Sequence, residues 1–200
     1  MSTAIKRQRC TFDDFCAIVK DGQKADLIDG VIYMASPDNT DANDIFVWVS
    51  SVMHIFAEQT DAGKIYGSRV ACRLGEWHGP EPDLLFVRKA RLHLVKRGFF
   101  DGSPDFAMEI VSPDSVERDY LEKLRQYEAA RIPEYWIVDE MKRKLTVYRL
   151  DTTAKYRKVR PVQGIIHSRV FKGFWMRLEW LWPETRLPAF DAIQELLKTK

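Results

Sequence analysis

Asp83, Glu109 and Lys123 are the residues of this chain whose surroundings suggest chemistry. "EPDLLFV" sets Asp83 after Pro82 at the head of an apolar run, and "FAMEIV" sets Glu109 inside another. Lys123 follows in "SVERDYLEKLRQYEAA". A lone carboxylate in a buried strand is costly unless something pairs with it. Alternate side chains of a strand share a face, so Glu109 should point with Ala107 and Val111, opposite Phe106, Met108 and Ile110. If the strands of Asp83 and Glu109 are neighbours, two carboxylates converge at one end of a sheet. Such a pair repels unless a cation lies between. Mg²⁺ suits, because it is hard, prefers oxygen and keeps several waters; Mn²⁺ is a possible substitute. The backbone carbonyl of Ile110 offers a further oxygen.

Lys123 is placed by helical periodicity. Val116, Tyr120, Leu124 and Tyr127 make an apolar stripe, and at ~100° per residue Lys123 falls on its edge while Glu122 faces solvent. From there the stem can follow the core and bring the ammonium to the sheet, near a water that a cation would activate toward phosphorus. Each residue also has a plainer reading. Pro-Asp favours turns, most lysines on helices are solvated, and Glu109 could be a buried ion-pair partner of Arg69 or Arg73.

The elements that must position these groups are legible in outline. "TFDDFCAIVKDG" reads as a short helix capped by Thr11 and stopped at Gly22, and "KADLIDGVIYMAS" as two strands about a turn at Asp29-Gly30. "DANDIFVWVSSVMHIFAEQT" is a helix with an Asp or Asn cap, because Ile45, Trp48, Val49, Val52 and Phe56 recur at helical spacing. "GKIYGSRVACRLG", "DLLFVRKA" and "FAMEIVS" read as strands. "SVERDYLEKLRQYEAA" reads as a helix, with Asp114 and Glu117 at capping-box spacing. "EYWIVDEMKRKLTVYRL" gives strand, turn and strand; short β segments and a terminal helix in "FDAIQELLKTK" follow. This order predicts an α/β (α+β) domain: one mixed central sheet flanked by helices, core about residues 41–140, spanning residues 1–200 as a single domain. No GxGxxG or Walker loop is present.

Composition bounds the function classes. A net charge of +2 over 200 residues excludes a histone-like polycation but leaves room for a local basic patch. Cys10, Cys16 and Cys72 have no zinc spacing, which points to free buried thiols in a reducing cytoplasm. No apolar run reaches the ~18 residues of a membrane span, and "MSTAIKRQRC" does not read as a signal peptide.

The run "EPDLLFV … SPDFAMEIVSPDSVERDYLEKLRQYEAARIPEYWIVD", with "LIDGVIYMASP", "LTVYRL" and "FKGFWMRLEWLW", resembles the Uma-type family of bacterial restriction-endonuclease-like proteins, part of the PD-(D/E)xK nuclease superfamily. The resemblance covers roughly residues 12–185 and implies a restriction-endonuclease-like core, Mg²⁺-dependent phosphodiester hydrolysis and a nucleic-acid partner, DNA above RNA. It matches Asp83 to the motif aspartate and Glu109 to the motif acid. It implies that the motif lysine, absent at Val111, has moved to the helix as Lys123, and that Asp26 is a weaker candidate for metal or structural support. A histidine frequent in the family near the start of the "DANDIF" helix is absent, with Ala42 about there.

Among other residues, Glu81 reads as a rim charge, and Arg88, Lys89, Arg91, Lys96 and Arg97 as a basic run that would attract phosphates beside a nuclease site. "YRKVRP" with Tyr156 is a second basic patch. His54 reads as structural and His78 as a possible group at the site mouth. Trp175, Trp180 and Trp182 read as core or dimer interface. A homodimer is a plausible partner, since cutting both strands suits two sites about a two-fold axis. The expectation is a Mg²⁺-dependent endonuclease with Asp83, Glu109 and Lys123 as catalytic residues. The alternatives are a non-catalytic nucleic-acid-binding or regulatory module on the same fold, and an interaction protein in which the three residues coincide by chance.

Overall fold

The computed structural model describes residues 9–20, 22–37 and 39–198. In chain order, α1 (Phe12–Ile18) leads to β1 (Ala25–Ile28), β2 (Val31–Met34) and α2 (Thr40–Thr60). Then come β3 (Gly63–Gly67), β4 (Ala71–Cys72), β5 (Leu84–Arg88), β6 (Phe99–Phe100) and β7 (Phe106–Val111). A π-helical turn at Arg118–Glu122 runs into α3 (Lys123–Ala129). β8 (Glu134–Asp139), β9 (Lys144–Leu150), β10 (Tyr156–Val159), β11 (Ile165–His167), β12 (Trp175–Arg177) and α4 (Ala189–Lys198) complete the chain.

Six strands form the central sheet in the order β10-β9-β8-β7-β5-β3, so the sheet extends past residue 140. β7 and β8 are parallel and every other neighbouring pair is antiparallel. All six residues of β7 and of β8 are buried, as central strands covered on both faces must be. Alternation decides which core each side chain joins. Phe106, Met108 and Ile110 face α2, α4 and the β11–β12 hairpin, with Trp175 and Trp180 in that core. Ala107 and Val111 face α3 with Tyr127, Tyr135 and Ile137. Val116, Tyr120 and Leu124 pack on the second core, as the apolar stripe requires.

Several local expectations are corrected. α1 ends at Ile18 with Val19 as its cap, before Gly22, and Asp21 of that stretch lies outside the described residues, as do residues 199 and 200 of the terminal helix. "GKIYGSRVACRLG" breaks at Arg69, whose φ of 75° cannot continue a strand, so β3 joins the central sheet while β4 pairs with β6. The Asp114/Glu117 capping box does not form: the Asp114 carboxylate accepts from the Ser36 hydroxyl at 2.9 Å. Cys72 is buried, but Cys16 is exposed, so not every thiol is a core residue. At the Asp29-Gly30 turn both residues have positive φ, 51° and 77°, the geometry of a tight hairpin whose twist matches its strands. Among the described residues no helix is long and apolar enough to cross a membrane.

Candidate active site

The site forms at the C-terminal end of β7. In the antiparallel pairing of β5 with β7, Leu84 lies opposite Met108. One step further the ladder gives way to a side chain: Asp83 Oδ2 accepts the Ile110 N–H at 2.7 Å. The N–H and C=O of a strand residue face the same neighbour, so the Ile110 carbonyl also looks to the Asp83 side. Glu109, on the opposite face from Ile110, turns toward the π turn and α3.

Lys123 is brought to Glu109 by that turn. Its ammonium lies 2.9 Å from Glu109 Oε1, 3.1 Å from Asp26 Oδ2 and 3.6 Å from Asp119 Oδ1. The Lys123 side chain is 2% exposed, among the most buried in the molecule. The Tyr127 hydroxyl, one turn on, donates to Glu109 Oε1 at 2.7 Å. Asp119 sits in the π turn, which displaces backbone and side chains from regular α-helical positions and is frequent at functional sites. Ser115 donates to Asp119 Oδ2 at 2.5 Å, while buried Oδ1 has no hydrogen-bond donor.

The β1–β2 hairpin closes the cluster from the other side. Asp26 Oδ1 accepts the Glu81 N–H at 2.9 Å, and Glu81 accepts the Ala25 N–H at 3.2 Å. Asp26 Oδ2 also faces Arg118 Nε at 3.2 Å. Lys24 forms an ion pair with Asp83 through Oδ1. Lys24, Asp26, Asp83, Glu109, Ile110, Arg118, Asp119 and Lys123 surround a cavity of about 40 Å³. That is room for an ion or one or two waters, so a nucleotide would have to approach from its mouth.

Charge is out of balance here. Asp26, Glu81, Asp83, Glu109 and Asp119 are buried, against the cations Lys24, Arg118 and Lys123. Burial raises the Glu109 pKa, which Lys123 opposes and Asp119, Asp83 and Asp26 reinforce. Burial also raises Asp119, against Lys123 and the Ser115 hydrogen bond, and Glu81, to about 7. Burial disfavours the Lys123 charge, but Asp26, Glu109 and Asp119 outweigh it and hold its pKa well above the usual lysine value. The cluster therefore has surplus negative charge to share with protons or a further cation.

Asp83 and Glu109 carboxylates and a backbone carbonyl are the hard donors Mg²⁺ takes, and the surplus charge fits a divalent ion. As the side chains stand, no three Asp, Glu, His or Cys groups among the described residues are placed to hold a metal. Lysine ammoniums are the near partners of both carboxylates. The donors fit the ion chemically, and holding it would require Asp83 to exchange Lys24 for it.

The structure thus brings Asp83, Glu109, Ile110 and Lys123 together. Asp26 belongs at the centre. The rim assignment of Glu81 is corrected: it is buried against the Ala25 N–H. Glu109 pairs with Lys123, not with Arg69 or Arg73; Arg73 faces Asp13 at 3.4 Å. His78 contacts Gln126 Nε2 at 2.8 Å beside the hairpin and does not line the cavity. His54 is not a core group: its side chain is 56% exposed and faces Glu58. Arg88 and Arg91 of the basic run are ion-paired with Asp105, and Lys89 with Asp61. Tyr156, expected in a basic surface patch, donates its hydroxyl to the Ile132 carbonyl at 2.8 Å. Sequence reading missed Lys24 and Asp119. The signal for Asp119 was its i,i+4 spacing to Lys123; Lys24 had none, because only tertiary packing sets the hairpin beside β5.

Comparison with known proteins agrees with this architecture. The sequence profile of the Uma2 family, described as "Putative restriction endonuclease", matches residues 11–179. A crystal structure from Anabaena variabilis ATCC 29413, titled as a "putative nuclease belonging to DUF820", superimposes with a TM-score of 0.69. It is 18% identical in sequence, and the match covers 93% of this chain and 98% of that one. A comparison with curated proteins returns no match. Given the extent of the profile match, the chain belongs to the Uma2 family.

Proposed function

We propose that this Uma2-family chain is a Mg²⁺-dependent endonuclease that hydrolyses phosphodiester bonds in DNA. One observation carries the reading: Asp83 and Glu109, 26 positions apart in sequence, meet on either side of Ile110, in a cluster with more carboxylates than cations. Mg²⁺ held by Asp83, Glu109 and the Ile110 carbonyl would polarise a phosphate oxygen and acidify a water. In the net reaction a water oxygen bonds to phosphorus and the bond from phosphorus to one sugar oxygen breaks. The water gives up one proton and the departing oxygen gains one.

The residues of the chain have separable tasks. Asp83, anchored by the Ile110 N–H, and Glu109, held by Tyr127 and Lys123, would offer their carboxylate oxygens to the ion once Asp83 exchanged Lys24 for it. Lys123 sets the orientation of Glu109 by pairing with its Oε1 at 2.9 Å. Asp26 and Asp119 hold Lys123 in turn. The test is cleavage of plasmid DNA by the purified chain in Mg²⁺, with Asp83→Ala and Glu109→Ala variants. Metal-dependent cleavage lost in both variants is expected; undiminished cleavage by a clean double variant would sink the assignment.

The neutralisation of both carboxylates by lysines favours a second reading, a nucleic-acid-binding or regulatory module without turnover. Calorimetry with Mg²⁺ and Mn²⁺ separates the two: a chain that binds neither ion is the module.

A further inference from the structure

Lys123 and Lys24 both sit in the cluster, but their ammoniums are differently committed. An ammonium has three donors. Those of Lys123 face three carboxylates, Asp26, Glu109 and Asp119, with the side chain 2% exposed. An incoming phosphate could reach that ammonium only by displacing a buried partner. Among the described residues Lys24 is ion-paired with Asp83 alone, and its side chain is 18% exposed. It lines the same cavity, whose volume of about 40 Å³ keeps a nucleotide at the mouth. Lys24 lies just before β1, where its carbonyl accepts the Ala35 N–H at 3.0 Å, so its backbone is fixed and its side chain alone has to move. A divalent ion held by Asp83 would compete with this ammonium for the carboxylate, and an ammonium released from Asp83 would have donors to spare.

We propose that Lys24 is a catalytic residue: its ammonium meets a non-bridging oxygen of the scissile phosphodiester, while Lys123 is a positioning residue that acts through Glu109. This rests on the nuclease reading above and assigns the phosphate contact within it. Lysine serves phosphate as a mobile point charge, a role that a saturated buried ammonium cannot fill.

The experiment compares the full chain with Lys24→Gln and Lys24→Arg. Each is assayed for plasmid cleavage in Mg²⁺, for Mn²⁺ binding by calorimetry, and for folding by thermal melt. Lys24→Gln should lower kcat about a hundredfold, the scale of removing one charge-stabilising donor. It should bind Mn²⁺ as tightly as the wild type or more so, because Asp83 loses its competing cation. Lys24→Arg should recover part of kcat. A Lys24→Gln chain that cleaves as fast as an active wild type overturns the Lys24 assignment and leaves the nuclease reading standing. A folded Lys24→Gln chain that no longer binds Mn²⁺ makes Lys24 a structural partner of Asp83 and also overturns it. If the wild type neither binds Mn²⁺ nor cleaves, the nuclease reading fails and this inference with it.

Discussion

Glu109 and Glu134 lie on adjacent parallel strands, and both are buried. Glu134, at the start of β8, accepts the Trp136 indole N–H at 2.7 Å and the Arg169 N–H at 2.7 Å, and faces Arg149 at 3.4 Å. Burial raises its pKa, and Arg149 and those donors oppose the rise. Glu109, near the end of β7, is also raised first by burial, but Asp119, Asp83 and Asp26 add to the rise and only Lys123 leads against it. One glutamate meets donors and a cation, as a buried charge must to be tolerated. The other has one hydroxyl donor, Tyr127, and shares its lysine with Asp26 and Asp119. Burial alone therefore does not single out Glu109 as a candidate; the company of other carboxylates does.

The largest expected effect sets the two against each other directly. Glu109→Gln should reduce DNA cleavage by about a thousandfold or more, roughly 4 kcal/mol in the barrier, while Glu134→Gln should leave the rate per folded molecule unchanged. Equal losses in a plasmid assay would break the comparison. Next comes stability. Lys123→Met leaves buried carboxylates without their cation and should cost about 3–5 kcal/mol in denaturant unfolding. Arg149→Met should cost less, about 1–2 kcal/mol, because Glu134 keeps two N–H donors.

A smaller and more specific effect is ligand stabilisation. Mn²⁺ at 100 times its Kd should add about 2.7 kcal/mol, read as a rise in Tm. The rise should vanish in Asp83→Asn and persist in Glu134→Gln; a rise that persists in Asp83→Asn would place the ion elsewhere. The smallest is a control far from either glutamate. Thr11 caps α1 by accepting from the Asp14 N–H at 3.1 Å, so Thr11→Ala should cost about 1 kcal/mol and alter neither cleavage nor the Mn²⁺ response.

Strand and helix identities were legible where one pattern rules: the buried runs of β7 and β8, the helical repeat from Ile45 to Phe56, and the positive-φ turn at Asp29-Gly30. Their failures share a cause. "GKIYGSRVACRLG" breaks where Arg69 takes a left-handed conformation, and the helix after "SPD" opens with a π turn. Both are backbone departures that local propensity does not carry; the π turn is tied to a distant strand, where the Tyr135 hydroxyl donates to the Asp119 carbonyl at 3.0 Å.

The sequence by itself determined that Glu109 shares a face with Ala107 and Val111 and that Lys123 lies at the edge of an apolar stripe, because strand and helix periods are properties of the local chain. Pairing Asp83 with Ile110 required the β5–β7 register. Only the tertiary structure set the β1–β2 hairpin over the end of that sheet. It thereby delivered Asp26 to Lys123, and Lys24 to Asp83 across 59 positions of sequence. Which cation balances which carboxylate is decided by distance in space, and at such separations along the chain no pattern in the sequence encodes it.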